Sequence, residues 1–242
     1  MRPVLFLLLA ALGSACSMPS RVDGDGESLQ FRPGGARGAG LQQMQPGEAR
    51  ALVHSELIQS MLVQRQYYAA LAHIQERRNE SGDSAELRYL EAEARRELGQ
   101  GQRAEELYRG LLRSEDYAGQ AYHGLGLLYA SKSDYENAVQ HLRSAAQRRP
   151  TDGQVRNDLG YALMMAGRYP EALPEIATAV ELDANDKRSR NNLVLLLMLT
   201  NDEAGVKRVA SESGLSKETL AGLRQQAQSL KKRRAAAQGK GR

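Results

Sequence analysis

The residues that could do chemistry in this chain are few and scattered. Cys16 is the only cysteine in 242 residues, so neither an internal disulfide nor a thiolate-rich metal site can be built from the chain itself. A thiol so placed can serve as a nucleophile, as a point of covalent attachment, or as a buried core residue. The four histidines, His54, His73, His123 and His141, never fall in an HExxH or HxxxH pair, the spacing that sets two imidazoles on one helix face to share zinc. Each reads as a partly exposed helix residue. The glycines of GLGLLYAS, around Gly124 and Gly126, lie inside an apolar helical pattern with no strand before them, so close packing accounts for them better than a phosphate loop does. GGARGAG, residues 34–40, has no helix N-terminus to present to a phosphate. No serine stands in a GxSxG elbow. No catalytic residue, metal site or cofactor is therefore expected, nor a small-molecule substrate.

What surrounds Cys16 narrows its role. Met1 and Arg2 make a short positive start, residues 4–12 are an almost unbroken apolar run, and Gly13, Ser14 and Ala15 are small. That order is a secretory signal peptide over residues 1–15, whose apolar stretch is too short for a spanning helix of roughly 20 residues. A run of small residues ending in cysteine resembles the lipobox of bacterial lipoproteins, although Gly13 stands where that motif usually has Leu. The resemblance implies lipidation of Cys16, cleavage before it and acylation of the new terminus. Three acyl chains, at about 0.8 kcal/mol per buried methylene, would hold the protein on a membrane. The other reading is ordinary cleavage after Ala15, leaving a soluble protein with a free Cys16. Ser17, in place of the Asp that retains enterobacterial lipoproteins at the inner membrane, points by the same analogy to the outer membrane, facing the periplasm. Residues 16–50, rich in Gly, Pro and Ser, read as a lipidated terminus and flexible linker, able to stretch to about 100 Å.

The remaining composition favours helix: Trp is absent, Phe occurs twice, and Ala, Leu, Glu, Gln and Arg abound. The formal charge of +4 is concentrated near the end in Lys231, Lys232, Arg233, Arg234, Lys240 and Arg242, so the rest of the chain is nearly neutral and no nucleic-acid partner is expected. Self-comparison then shows a period of 34. Windows 51–84, 85–118, 119–152, 153–186 and 187–220 align without gaps. The twentieth place holds Ala70, Ala104, Ala138, Ala172 and Val206, and the eighth holds Ile58, Ala92, Gly126, Gly160 and Val194. This is the tetratricopeptide pattern, one pair of antiparallel helices per unit. The expected fold is an all-α solenoid of about five such repeats with a capping helix over residues 217–230, followed by a disordered basic tail, 231–242.

Within each repeat the spacing assigns places. Gly160 and Ala172 are small because two helices cross there. Leu125, Gly126, Ala138, Leu142, Leu159, Ile176 and Ala179 complete the expected core. A turn is expected at the fifteenth place, at Gly99, Gly167 or Asn201, although Arg65 stands there in the first window. Glu91 occupies a core place where Leu is expected, so that Leu87 or Leu90 must pack instead or the helix is rotated, and Pro174 should kink or loosen its helix. NNLVLLLMLT, residues 191–200, is apolar nearly all round and should be buried on two sides. The second, fifth, ninth and twelfth places tend to face the concave side. They nominate Gln120, His123, Leu127, Gln154, Asn157, Tyr161, Met164, Asn191 and Leu195 as a surface for an extended peptide or partner helix. Asn157 and Asn191 read equally well as stabilisers of the helix pair.

Residues 156–199, with NDLGYAL, AGRYPEAL and a second RSRNNL, are similar to the TadD family, tetratricopeptide lipoproteins of tight-adherence (Flp, type IVb) pilus assembly. The lipobox, tether and about five repeats follow the same order. The resemblance implies a non-enzymatic periplasmic assembly factor, pilotin-like, that helps an outer-membrane secretin assemble and so supports pili, surface attachment and biofilm. The competing expectation is a membrane-tethered regulator of periplasmic cell-wall synthases or hydrolases.

Overall fold

The structure, a computed structural model, describes residues 46–239, with side chains from 52 to 236. The signal sequence, Cys16 and most of the expected tether lie outside the described residues. Every described element is an α-helix: α1 (Pro46–Val63), α2 (Tyr67–Ser81), α3 (Ala85–Glu97), α4 (Gly101–Leu111), α5 (Ala118–Ser131), α6 (Tyr135–Arg148), α7 (Gly153–Ala166), α8 (Tyr169–Leu182), α9 (Lys187–Leu199), α10 (Glu203–Glu212) and α11 (Lys217–Gly239). Helices α1 to α10 pair as five consecutive hairpins, α1 with α2 through α9 with α10. α1 starts at Pro46, ahead of the boundary expected at residue 51. Proline suits a first turn, where its missing N–H would have had no partner.

The tight turn inside each hairpin recurs at one register. Arg65, Gly99, Ser133, Gly167 and Asn201 occupy the fifteenth place of the five repeats, and all are left-handed, with φ of 59°, 74°, 60°, 82° and 61°. In each case the next N–H donates to a carbonyl five residues back, as Arg168 does to Leu163 at 2.8 Å and Asp134 to Tyr129 at 3.0 Å. The left-handed residue thus satisfies the carbonyls that the ending helix leaves open. Helix starts are capped by short acceptors: Ser84, Asp134, Asp152, Asp186 and Asp202 each accept a backbone N–H of the first turn.

Small residues set how closely the pairs approach. A Cβ on Gly126 would overlap Leu142, and one on Gly160 would overlap Ile176 and stand 3.2 Å from the Ala172 carbonyl oxygen. Around these crossings Leu125, Ala138, Leu142, Leu159, Ala172, Ile176 and Ala179 are all buried. Among the described residues the apolar interior falls into three clusters, one within the first hairpins around Ile58 and Ile74, one around Ala104 and Tyr108, and the largest from Ala138 to Ala227.

Several local expectations resolve differently. Leu87 and Leu90 both pack inward, and Glu91 is buried beside them. Its carboxylate is held by Arg78 of α2 at 3.0 Å and Arg95 at 3.3 Å, so an ion cluster replaces the leucine. α8 runs unbroken through Pro174, which like Pro170 one turn before it is exposed, on the side of the helix away from the core. α9 contacts α7, α8, α10 and α11. That enclosure explains why Val194 to Leu199 are buried in succession. α11 continues to Gly239, beyond the expected end at residue 230, because Lys231 and Arg234 find partners on other helices.

Candidate partner-binding face

The first helices of the hairpins, α1, α3, α5, α7 and α9, pack against one another in order, whereas the second helices are held apart. A stack built so curves toward its first helices, which form the inner side. The nine nominated residues all lie on α5, α7 and α9, but the structure does not present them alike. Gln154 is exposed, and Gln120, Leu127, Tyr161 and Asn191 are half-buried. His123, Asn157, Met164 and Leu195 retain only 8%, 1%, 2% and 1% of their surface. Those four are interior residues of this face and offer a partner no surface.

Their burial has a chemical reason. His123 Nε2 lies 2.7 Å from Asp158 Oδ2 on the next first helix. A carboxylate can only accept, so the imidazole donates from Nε2. Arg188 of α9 pairs with the other Asp158 oxygen. Beside this, the side-chain amides of Asn157 and Asn192 meet at 2.8 Å. Together these contacts form a polar ladder running from α5 through α7 to α9. Burial, with Arg149 and Arg96 nearby and Glu93 and Asp152 opposing, pushes the His123 imidazole down to about 4, so it is neutral near pH 7. Burial likewise raises the Tyr161 phenol above its ordinary value.

Applied to the second window, the same places give Glu86, Tyr89, Glu93 and Arg96, which were not nominated. Their signal was present in the spacing and was obscured by the degenerate core of that repeat. All four are half-buried. The Glu93 carboxylate accepts from the Tyr108 hydroxyl and pairs with Arg96 at 3.0 Å. The rings of Tyr89 and Tyr117 lie 5.6 Å apart. Burial, and then the neighbouring acids Glu86 and Asp116, push the Tyr117 phenol up to about 12. The accessible inner side therefore combines amides, phenols and a charged pair, groups that hydrogen-bond a backbone while rings add apolar contact. Among the described residues no three His, Cys, Asp or Glu side chains gather closely enough to hold a metal ion. No described helix is long and apolar enough to cross a membrane.

Two family models, each described as tetratricopeptide repeat, match residues 129–193 and 89–153. These residues are tetratricopeptide repeats. The TPR repeat-containing protein PA4299 of Pseudomonas aeruginosa is 34% identical over 158 residues, 65% of this chain. The aligned region takes in 56% of that relative's length. Among solved structures, pilF of Pseudomonas aeruginosa superposes with a TM-score of 0.63 at 18% identity, covering 80% of this chain and 89% of that one. YrrB, described as a TPR protein with an unusual peptide-binding site, superposes with a TM-score of 0.51 at 16% identity, covering 66% and 82%. At these identities the two superpositions report a shared tetratricopeptide fold.

Proposed function

We propose that the chain is a non-enzymatic scaffold that holds a polypeptide partner on the inner side of its tetratricopeptide repeats and serves the assembly of Flp (tight-adherence) pili. Tetratricopeptide folds bind protein partners or peptides, and the inner side here offers half-buried amides and phenols of the kind that grip a main chain. The observation that carries the pilus reading is the run 156–199, whose NDLGYAL, AGRYPEAL and RSRNNL stretches resemble the TadD lipoproteins. In this reading Cys16 carries the lipid, the repeats stand off the outer membrane in the periplasm, and the partner is the secretin, in a pilotin-like role.

Deleting the gene tests the reading. The expected result is loss of surface Flp pili with secretin subunits failing to multimerise, and a deletion strain with normal pili and secretin rings would overturn it. The anchor is tested separately: Cys16→Ser should release the protein from the membrane fraction, and mass spectrometry showing an unmodified mature Cys16 would count against lipidation.

A further inference from the structure

α11 does not continue the stack. Each earlier first helix packs on the second helix before it, α3 on α2, α5 on α4, α7 on α6 and α9 on α8, whereas the seat of α11 is α9. The outer side of α10 has no need of a lid, since Glu203, Lys207, Arg208, Ser211 and Glu212 are exposed there and a polar terminal face closes a solenoid. α11 instead passes over α9 and reaches α7. Lys231 Nζ donates to the Met198 carbonyl oxygen at 2.8 Å and to Asn201 Oδ1 at 2.6 Å. Arg234 Nη2 donates to the Ala166 carbonyl oxygen at 3.1 Å, and its guanidinium lies 4.7 Å over the Tyr169 ring. Met198 is in the last turn of α9 and Ala166 ends α7. Its apolar stripe packs along α9, and its cations stand at the carboxyl ends of α9 and α7, the negative poles of two helix dipoles.

Its hold is narrow. Leu223 and Ala227 are buried, Leu220 and Leu230 half-buried, and most of the other described side chains of α11 are exposed. The link to α10 is residues 213–216, with Gly214 in the left-handed region. We propose that α11 is a built-in occupant of a helix-binding groove that runs along α9 and ends at the carboxyl end of α7. The polypeptide partner of this groove is then an amphipathic helix of like chemistry: Leu and Ala at i, i+3, i+7 and i+10, followed by cations that reach the carbonyl ends of α7 and α9. The inference rests on the reading of the chain as a scaffold for a polypeptide partner, and it adds that a helical partner exchanges with α11 rather than binding beside it. A short link gives the resident helix an effective concentration of about millimolar, so weak helices are excluded from the closed chain.

The test uses the full chain and a fluorescent peptide with the sequence of residues 216–239. Lys231→Glu with Arg234→Glu removes the carbonyl contacts, and Leu223→Glu, made separately, attacks the apolar stripe; both leave the groove itself intact. Hydrogen exchange of the α11 amides reports release. The expected result is faster exchange in α11 of at least one variant, with peptide affinity at least tenfold tighter than for the unaltered chain. Release of α11 without peptide binding would overturn the proposal, and so would protection of α11 in both variants as strong as that of α7, since the helix would then be a fixed part of the fold. Pilus loss on deletion and peptide binding are separate readouts, so the assembly reading and the groove can fail independently.

Discussion

His123 of α5 and Asp158 of α7 meet at 2.7 Å across neighbouring first helices, 35 residues apart in the chain. The imidazole is neutral there because burial outweighs the acids around it, and its value of about 4 lies below the ordinary 6.5. Between those values the unfolded chain binds a proton that the folded chain does not, so stability rises with pH. The contribution is complete above about pH 6.5 and is lost as pH falls toward 4, amounting to roughly 3 kcal/mol at most. Urea unfolding at pH 7.5 and 4.5 should show this loss, and His123→Gln should flatten it. An equally steep pH dependence in the variant would show that other groups are responsible.

Gly160 and Gly110 make a matched pair for the close-approach argument. A methyl group on Gly160 would overlap Ile176, whereas one on Gly110 meets nothing within 4 Å. Gly160→Ala is expected to destabilise by about 1–3 kcal/mol through overpacking, in spite of the better helix propensity of alanine. Gly110→Ala should stabilise by up to about 1 kcal/mol. Thermal unfolding of the two variants decides it, and the same sign for both would refute the steric account.

Arg65 and Ser133 hold the left-handed backbone that Gly99 and Gly167 adopt at the equivalent place. A side chain in that conformation costs about 1–2 kcal/mol, so Arg65→Gly and Ser133→Gly should each raise stability by about 1 kcal/mol. Gly167→Ala should lower it and also displace the Arg234 guanidinium that lies over that glycine. Chemical denaturation curves for the three variants provide the check.

The helix pairs were legible in the sequence because each repeat meets the same steric demand at the same place, as Gly126 and Gly160 do against Leu142 and Ile176. The inner side was legible only in phase. Spacing places His123, Asn157, Met164 and Leu195 toward that side but carries no record of what closes over them. Partners distant in sequence were invisible for the same reason: Arg78 reaches Glu91 across 13 residues, and Arg234 reaches the Ala166 carbonyl across 68. No periodicity encodes either contact. The basic run 231–234 reads as a charged tail until the helix ends it neutralises are in place.

The division of the described interior into three clusters, smallest among the described residues toward the amino-terminal hairpins and largest from α6 to α11, bears on how the protein takes mechanical load. A pull on the amino-terminal end meets the cluster around Ile58 and Ile74 before the others. Hairpins are then expected to detach in sequence, each lengthening the chain and relieving tension on the next, so the carboxy-terminal half keeps its shape while the leading half acts as a spring.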